Sequence, residues 1–186
     1  MGKERQPDFK NLAAILERRA PARPTLFEYF LNERLYTSFS GMEVPDAGDT
    51  YACAARLAKA FRNAGYDYVT LSCPWVFPGS QPQAQLASRS LNHEAVISDR
   101  ASLDRYPWPD FAAMDYGYVG KLAAELPEGM GIVMASSDGV LETATSLLGY
   151  DNLCLMLYDD EELVKDIFER IGCVILSFYR KALTLP

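Results

Sequence analysis

The chain holds 186 residues, 49% of them hydrophobic and 23% charged, with a formal net charge of −7. That length buries a core without staples and reads as one domain spanning residues 1–186. The acid excess, with no basic patch to offset it, speaks against nucleic acid and anionic membranes as partners, and no apolar run is long enough to span a bilayer.

The first predicted element is a short amphipathic helix from Phe9 to Arg19, stopped by Pro21 and Pro24. Residues 1–8 lack the apolar segment of a signal peptide, so the expected location is cytoplasmic. Thr25-Leu26-Phe27-Glu28-Tyr29-Phe30 is the first predicted strand, leading into Asn32-Glu33-Arg34. After a loop from Met42 to Asp49, Thr50 is placed to cap a helix that runs to Asn63, with Ala54, Leu57 and Phe61 on one face and Gly65 closing it. The second predicted strand is Asp67 to Ser72, ended by Cys73-Pro74-Trp75.

Residues 76–110 form a long, poorly periodic connection, with a short strand expected around Ala95 to Ser98. Connections of this length usually carry function, as a lid or a binding loop. Trp75, Tyr106 and Trp108 are candidates to line a pocket for a flat substrate, although Tyr106-Pro107-Trp108-Pro109 reads first as a pin for the loop. His93, the lone histidine, has no partner in sequence and reads as a surface residue.

Phe111 to Leu126 is predicted as a helix, and Gly131-Ile132-Val133-Met134-Ala135 as a third strand buried on both faces. Asp138 is placed to cap a helix that carries Leu141, Ala144, Leu147 and Leu148 and ends at Gly149. Asp159 to Glu162 puts acid at the start of a long last helix with Leu163, Ile167, Ile171, Val174 and Phe178 on one side. The four cysteines, Cys53, Cys73, Cys154 and Cys173, form no Cys-x-x-Cys pair and read as buried thiols in a reducing cytosol. The order is an N-terminal helix, then strand and helix three times, which calls for an α/β fold with parallel strands.

Several of these stretches resemble the uroporphyrinogen decarboxylase superfamily: Phe61 to Asp67, Tyr106 to Asp110, Gly139 to Glu142, Leu148 to Asp151 and Tyr158 to Val164. The resemblance implies a (β/α)8 TIM barrel, of which this chain supplies the first three strand–helix units, the N-terminal part of a larger enzyme. It also implies either cofactor-free decarboxylation of tetrapyrrole carboxylates or methyl transfer with a corrinoid protein as partner. The pyrrole-gripping arginines and the aspartate of the decarboxylases have no counterpart at Phe27-Glu28-Tyr29-Phe30 or at Leu71-Ser72-Cys73-Pro74, although Arg34 lies close by. The His-x-Cys zinc pair of the methyltransferases is absent too, since His93 is followed by Glu94-Ala95. No cofactor is therefore expected on this chain, and zinc only where another half of the barrel supplies its ligands.

Barrel chemistry sits at the C-terminal ends of the strands. By that rule Glu28 and Tyr29 are the catalytic candidates, and Glu28 serves either as an acid/base or as the ion-pair partner of Arg34. Arg34, Ser72, Cys73, Trp75, Ser136, Ser137 and Asp138 are the substrate-binding candidates, and no residue is assigned to a metal. Cys73 reads first as a packed thiol and Asp138 first as a helix cap. A non-enzymatic alternative is a truncated barrel segment, inactive alone, that binds a complementary subunit or its own copy through an unpaired strand edge.

Overall fold

The computed structural model describes residues 5–80, 95–136 and 138–186. The protein is a helix-rich α/β chain: α1 (Lys10–Leu16), α2 (Glu33–Ser40), α3 (Thr50–Ala64), β1 (Tyr68–Ser72), α4 (Arg100–Arg105), α5 (Gly117–Glu125), β2 (Gly131–Ala135), α6 (Val140–Leu148), α7 (Tyr150–Asp159) and α8 (Glu161–Ala182). It divides into two compact units, one made of residues 1–72, 115–135 and 185–186, the other of residues 73–114 and 136–184. No helix among the described residues is long and apolar enough to cross a membrane.

The first unit is built on a parallel pair of strands. β1 and β2 run in register from Tyr68 opposite Gly131 to Ser72 opposite Ala135. The β-branched and aromatic content of Tyr68-Val69-Thr70-Leu71 suits a pleated, buried surface, and Tyr68 and Val69 are fully buried. α3 packs on β1, with α2 and α5 against α3. Asp49 accepts a bond from Ala52 N at 2.9 Å, so the cap of α3 lies one residue before the expected Thr50. Gly65, at φ 91°, ends the helix in the left-handed conformation that a side chain would resist. Phe61 is fully buried, its ring 5.9 Å from that of Tyr68.

The expected first strand does not form. Residues 25–30 are irregular, and among the described residues the sheet has two strands. Side chains of β1 take up this segment's main chain in place of a ladder. Glu28 N donates to Tyr68 Oη at 2.7 Å, and Glu28 O accepts from Tyr68 Oη at 2.8 Å and from Thr70 Oγ1 at 3.2 Å. The apolar Leu26, Phe27, Tyr29 and Phe30 that suggested a strand remain largely exposed.

α1 is shorter than its amphipathic pattern. The chain leaves it at Glu17, and Arg18 adopts a left-handed φ of 58° before any proline is reached. The long helix expected from Phe111 is split into a single turn of 3-10 helix at Phe111–Ala113 and then α5. Asp110 caps the 3-10 turn by accepting from Ala112 N and Ala113 N, and the break follows it, where Met114 is extended and Asp115 accepts from Gly117 N at 2.7 Å. Local side-chain bonds of this kind offer the main chain an alternative to the helix.

In the second unit α6 and α7 pack on α8, as does the 3-10 turn. Leu147, Leu148, Ile167, Ile171 and Phe178 are fully buried, each contributing about 1.5–3 kcal/mol of hydrophobic stabilisation. Asp160 caps α8 by accepting from Leu163 N at 3.0 Å. Glu161 and Glu162 lie in its first turn and Arg180 and Lys181 in its last, both favourable to the helix dipole. Ala95 to Ser98 is not a strand: Val96 N and Ile97 N both donate to Leu147 O, at 2.7 and 3.1 Å, and so cap α6 instead of joining a sheet.

The cysteines are not uniformly buried. Cys73 is buried and Cys53 intermediate, but Cys154 and Cys173 are exposed. On α7 the buried side chains are Leu153 and Met156, which leaves Cys154 on the outer face.

Candidate functional site

In the first unit β1 and β2 end level, at Ser72 and Ala135. Cys73-Pro74-Trp75, Ser136 and Asp138, which follow these strands in sequence, belong to the second unit. Ser72 is exposed. Cys73 is 5% exposed, and burial pushes its thiol up, only partly opposed by a bond from the Trp75 main chain. It is a packed, protonated thiol. Trp75 is half-buried.

At the end of β2, Ser136 N donates to Tyr179 Oη at 3.1 Å and Ser136 Oγ donates to Asp138 O at 2.7 Å. The serine hydroxyl thus shapes the turn into α6. Asp138 is not the cap of that helix. Gly139, in extended conformation, occupies the cap position with no side-chain bond. Ser137 and His93 lie outside the described residues.

The other candidates belong to the first unit. Glu28 and Tyr29 are exposed, and Tyr29 packs edge-on against Phe27 at 5.2 Å between ring centres. What is fixed at Glu28 is its main chain, through Tyr68 and Thr70. Among the described residues no ion pair joins Glu28 to Arg34, which stands exposed on α2. The α2 glutamate next to it, Glu33, pairs instead with the buried Arg56, which also donates to Thr37 Oγ1 at 2.8 Å.

No group of three His, Cys, Asp or Glu side chains able to hold a metal ion occurs among the described residues. With its thiol held protonated, Cys73 does not by itself make the strand ends a zinc site.

The most heavily bonded carboxylate lies at the other end of β1 and was not singled out from the sequence. Asp67 is fully buried and accepts from Asp8 N at 2.9 Å, Thr25 Oγ1 at 2.8 Å, Arg23 at 2.6 and 3.1 Å, and Arg5 at 3.3 Å. Burial alone would raise its pKa; the bonds from Arg23, Asp8 N and Thr25 outweigh it and hold the carboxyl below the usual range. With its bonds spread over Arg5, Asp8, Arg23 and Thr25, Asp67 ties the N-terminal segment to the start of β1. Its partners are distant in sequence, so no local motif announces it.

The Tyr106-Pro107-Trp108 stretch behaves as a pin. Tyr106 is buried, and its hydroxyl donates to Pro78 O at 2.8 Å. Trp108 stacks edge-on against Tyr106 and Phe77, and also borders a cavity flanked by α4 and α8. Arg100, Arg170 and Cys173 on that cavity carried no sequence motif.

No family model, curated protein or solved structure matches this chain.

Proposed function

We propose that β1 and β2 are two strands of a barrel wall of the uroporphyrinogen decarboxylase type, and that the chain serves a methyltransferase-like enzyme acting with a corrinoid protein. The observation that carries this reading is the in-register parallel pair whose strands end level at Ser72 and Ala135. Barrel enzymes place their ligand at such ends. The resemblance in Gly139 to Glu142 and in Tyr158 to Val164 supports the family, and the lack of gripping arginines at Phe27-Glu28-Tyr29-Phe30 favours the methyltransferase branch over the decarboxylase. In this reading Trp75 offers a flat apolar surface and Ser136 a hydroxyl to a large planar ligand. Cys73, neutral and packed, supports Trp75 and does not act as a nucleophile.

Calorimetric titration of the chain with methylcobalamin, and separately with uroporphyrin, tests the proposal. Saturable binding of methylcobalamin, weakened about ten-fold by Trp75→Ala, is the expected result; a ten-fold loss corresponds to about 1.4 kcal/mol. Preference for uroporphyrin would move the assignment to the decarboxylase branch. Heat from neither ligand would overturn the strand-end site.

A second reading, association through β2, is favoured by one observation. All five residues of β2 are only half-buried although four of them are apolar side chains, and among the described residues no strand pairs with its other edge. Such an edge is a template for another strand. Sedimentation of the purified chain over a range of concentrations distinguishes a self-associating edge from a covered one.

A further inference from the structure

In the second unit α7 turns an apolar face to water. Leu153 and Met156 are its buried side chains, and it packs on α6 and α8. Of the seven residues it leaves exposed, five are apolar: Tyr150, Cys154, Leu155, Leu157 and Tyr158. Leu155 is 64% exposed, Leu157 52% and Tyr158 93%. Rotation by about 100° per residue puts Cys154, Leu155 and Tyr158 on the side opposite the buried pair, with Tyr150 and Leu157 on one flank.

A helix resting on a core normally shows water a polar face, and one that is apolar all round is normally covered. Single exposed apolar side chains are ordinary, whereas five on one short helix form a patch of the kind that marks an interaction surface. The phenols of Tyr150 and Tyr158 make no hydrogen bond or ring contact among the described residues, so the fold itself does not use them.

Charge around the patch decides what covers it. α7 carries no Lys or Arg, and its two exposed polar residues are Asp151 and Asp159, neither in an ion pair among the described residues. They bracket the apolar face at its two ends, about 12 Å apart along the axis. A second copy of the chain is a poor occupant. Asp151 would meet its own copy if two α7 helices ran parallel, and Asp159 if they ran antiparallel, acid against acid either way. The same carboxylates repel an anionic lipid surface.

We propose that the outer face of α7 docks an amphipathic helix of a partner protein, apolar on one side and edged with Lys or Arg. Leucine-like side chains of that helix, at i, i+3 or i+4, and i+7, pack on Leu155, Tyr158 and the Cys154 thiol. Basic side chains about two turns apart reach Asp151 and Asp159, and the Tyr158 ring offers a further face to a cation. The tyrosine hydroxyls stay at the rim, in water. This surface is separate from the strand ends and does not rest on the function proposed for them.

The probe is a peptide of about 14 residues, four turns of helix, with leucine on one face and lysine on the other. The readout is alkylation of the full chain by iodoacetamide, because Cys154 lies inside the proposed footprint, whereas the exposed Cys173 lines the cavity flanked by α4 and α8. Saturating peptide is expected to slow labelling of Cys154 at least ten-fold and that of Cys173 less than two-fold. Leu155→Ala combined with Tyr158→Ala is expected to weaken the peptide at least ten-fold, and Asp151→Asn combined with Asp159→Asn at least five-fold. All four positions are exposed, and the buried Cys73 stays unlabelled in each folded variant. No protection of Cys154, equal protection of both cysteines, or unchanged affinity in either double variant would each overturn the proposal. So would Cys154 labelling that slows with chain concentration alone, which would give the face to a second copy, or protection by phosphatidylcholine vesicles, which would give it to lipid.

Discussion

The phenol of Tyr68 closes a two-way bond with the main chain of Glu28, accepting from its N–H at 2.7 Å and donating to its carbonyl at 2.8 Å. A single side chain thereby satisfies both backbone groups that a neighbouring strand would otherwise pair. Burial raises the pKa of this phenol, so it stays protonated and remains a donor through the neutral range.

Tyr68→Phe is accordingly expected to destabilise the protein by about 1–3 kcal/mol, because Glu28 N–H loses its partner and the Glu28 carbonyl keeps only the longer bond from Thr70. Thr70→Val alone, which removes only the longer bond at 3.2 Å, is expected to cost less. Urea unfolding of the two variants checks the order. Equal losses would mean that Thr70 carries as much of the anchoring as Tyr68.

The Asp67 cluster sets an acid limit. The folded-state pKa of Asp67 is depressed, so its contribution is fully present above the unfolded value of about 4 and is lost as pH falls through the folded value. Stability is therefore expected to drop steeply below about pH 4. Asp67→Asn should flatten that dependence while lowering stability at pH 7 by about 2–4 kcal/mol, since Arg5 and Arg23 lose their buried counter-charge. Denaturant midpoints measured from pH 3 to pH 7 decide the matter.

Close packing at the start of β2 gives a third prediction. A Cβ at Gly131 would stand closer than 3.0 Å to three atoms of the Phe9 ring. Gly131→Ala is expected to destabilise by about 1–3 kcal/mol through overpacking, and Phe9→Leu in the same chain to recover part of it. Thermal unfolding of the two single variants and the double variant checks the coupling. Additive losses would show that the ring yields without strain.

Thiol reactivity gives a fourth. Cys154 and Cys173 are exposed, whereas Cys73 is buried with its pKa raised. Thiolate supply and access both govern alkylation. Brief treatment with iodoacetamide at pH 7.5, followed by peptide mass mapping, is expected to label Cys154 and Cys173 and to leave Cys73 intact until denaturant is added. Early labelling of Cys73 would show that the end of β1 opens in the native state.

Local chemistry in the sequence determined much of the helical framework and both strands. The apolar runs 68–72 and 131–135, the glycines at 65 and 149 and the acidic start of α8 are signals that act within a few residues, and each appears as expected. Two caps, Asp49 and Gly139, shifted by one residue, the usual scale of error at a helix end. Residues 25–30 are a different case. Their alternation of large apolar side chains has the same local appearance as a strand, and only the tertiary structure decided otherwise. Tyr68 and Thr70, about 40 residues away in sequence, reach that backbone first. The cluster around Asp67 and the charges on the α8 cavity were likewise invisible to the sequence. Their members come from separate elements, and hydrogen bonds and ion pairs between distant residues leave no period or motif to read.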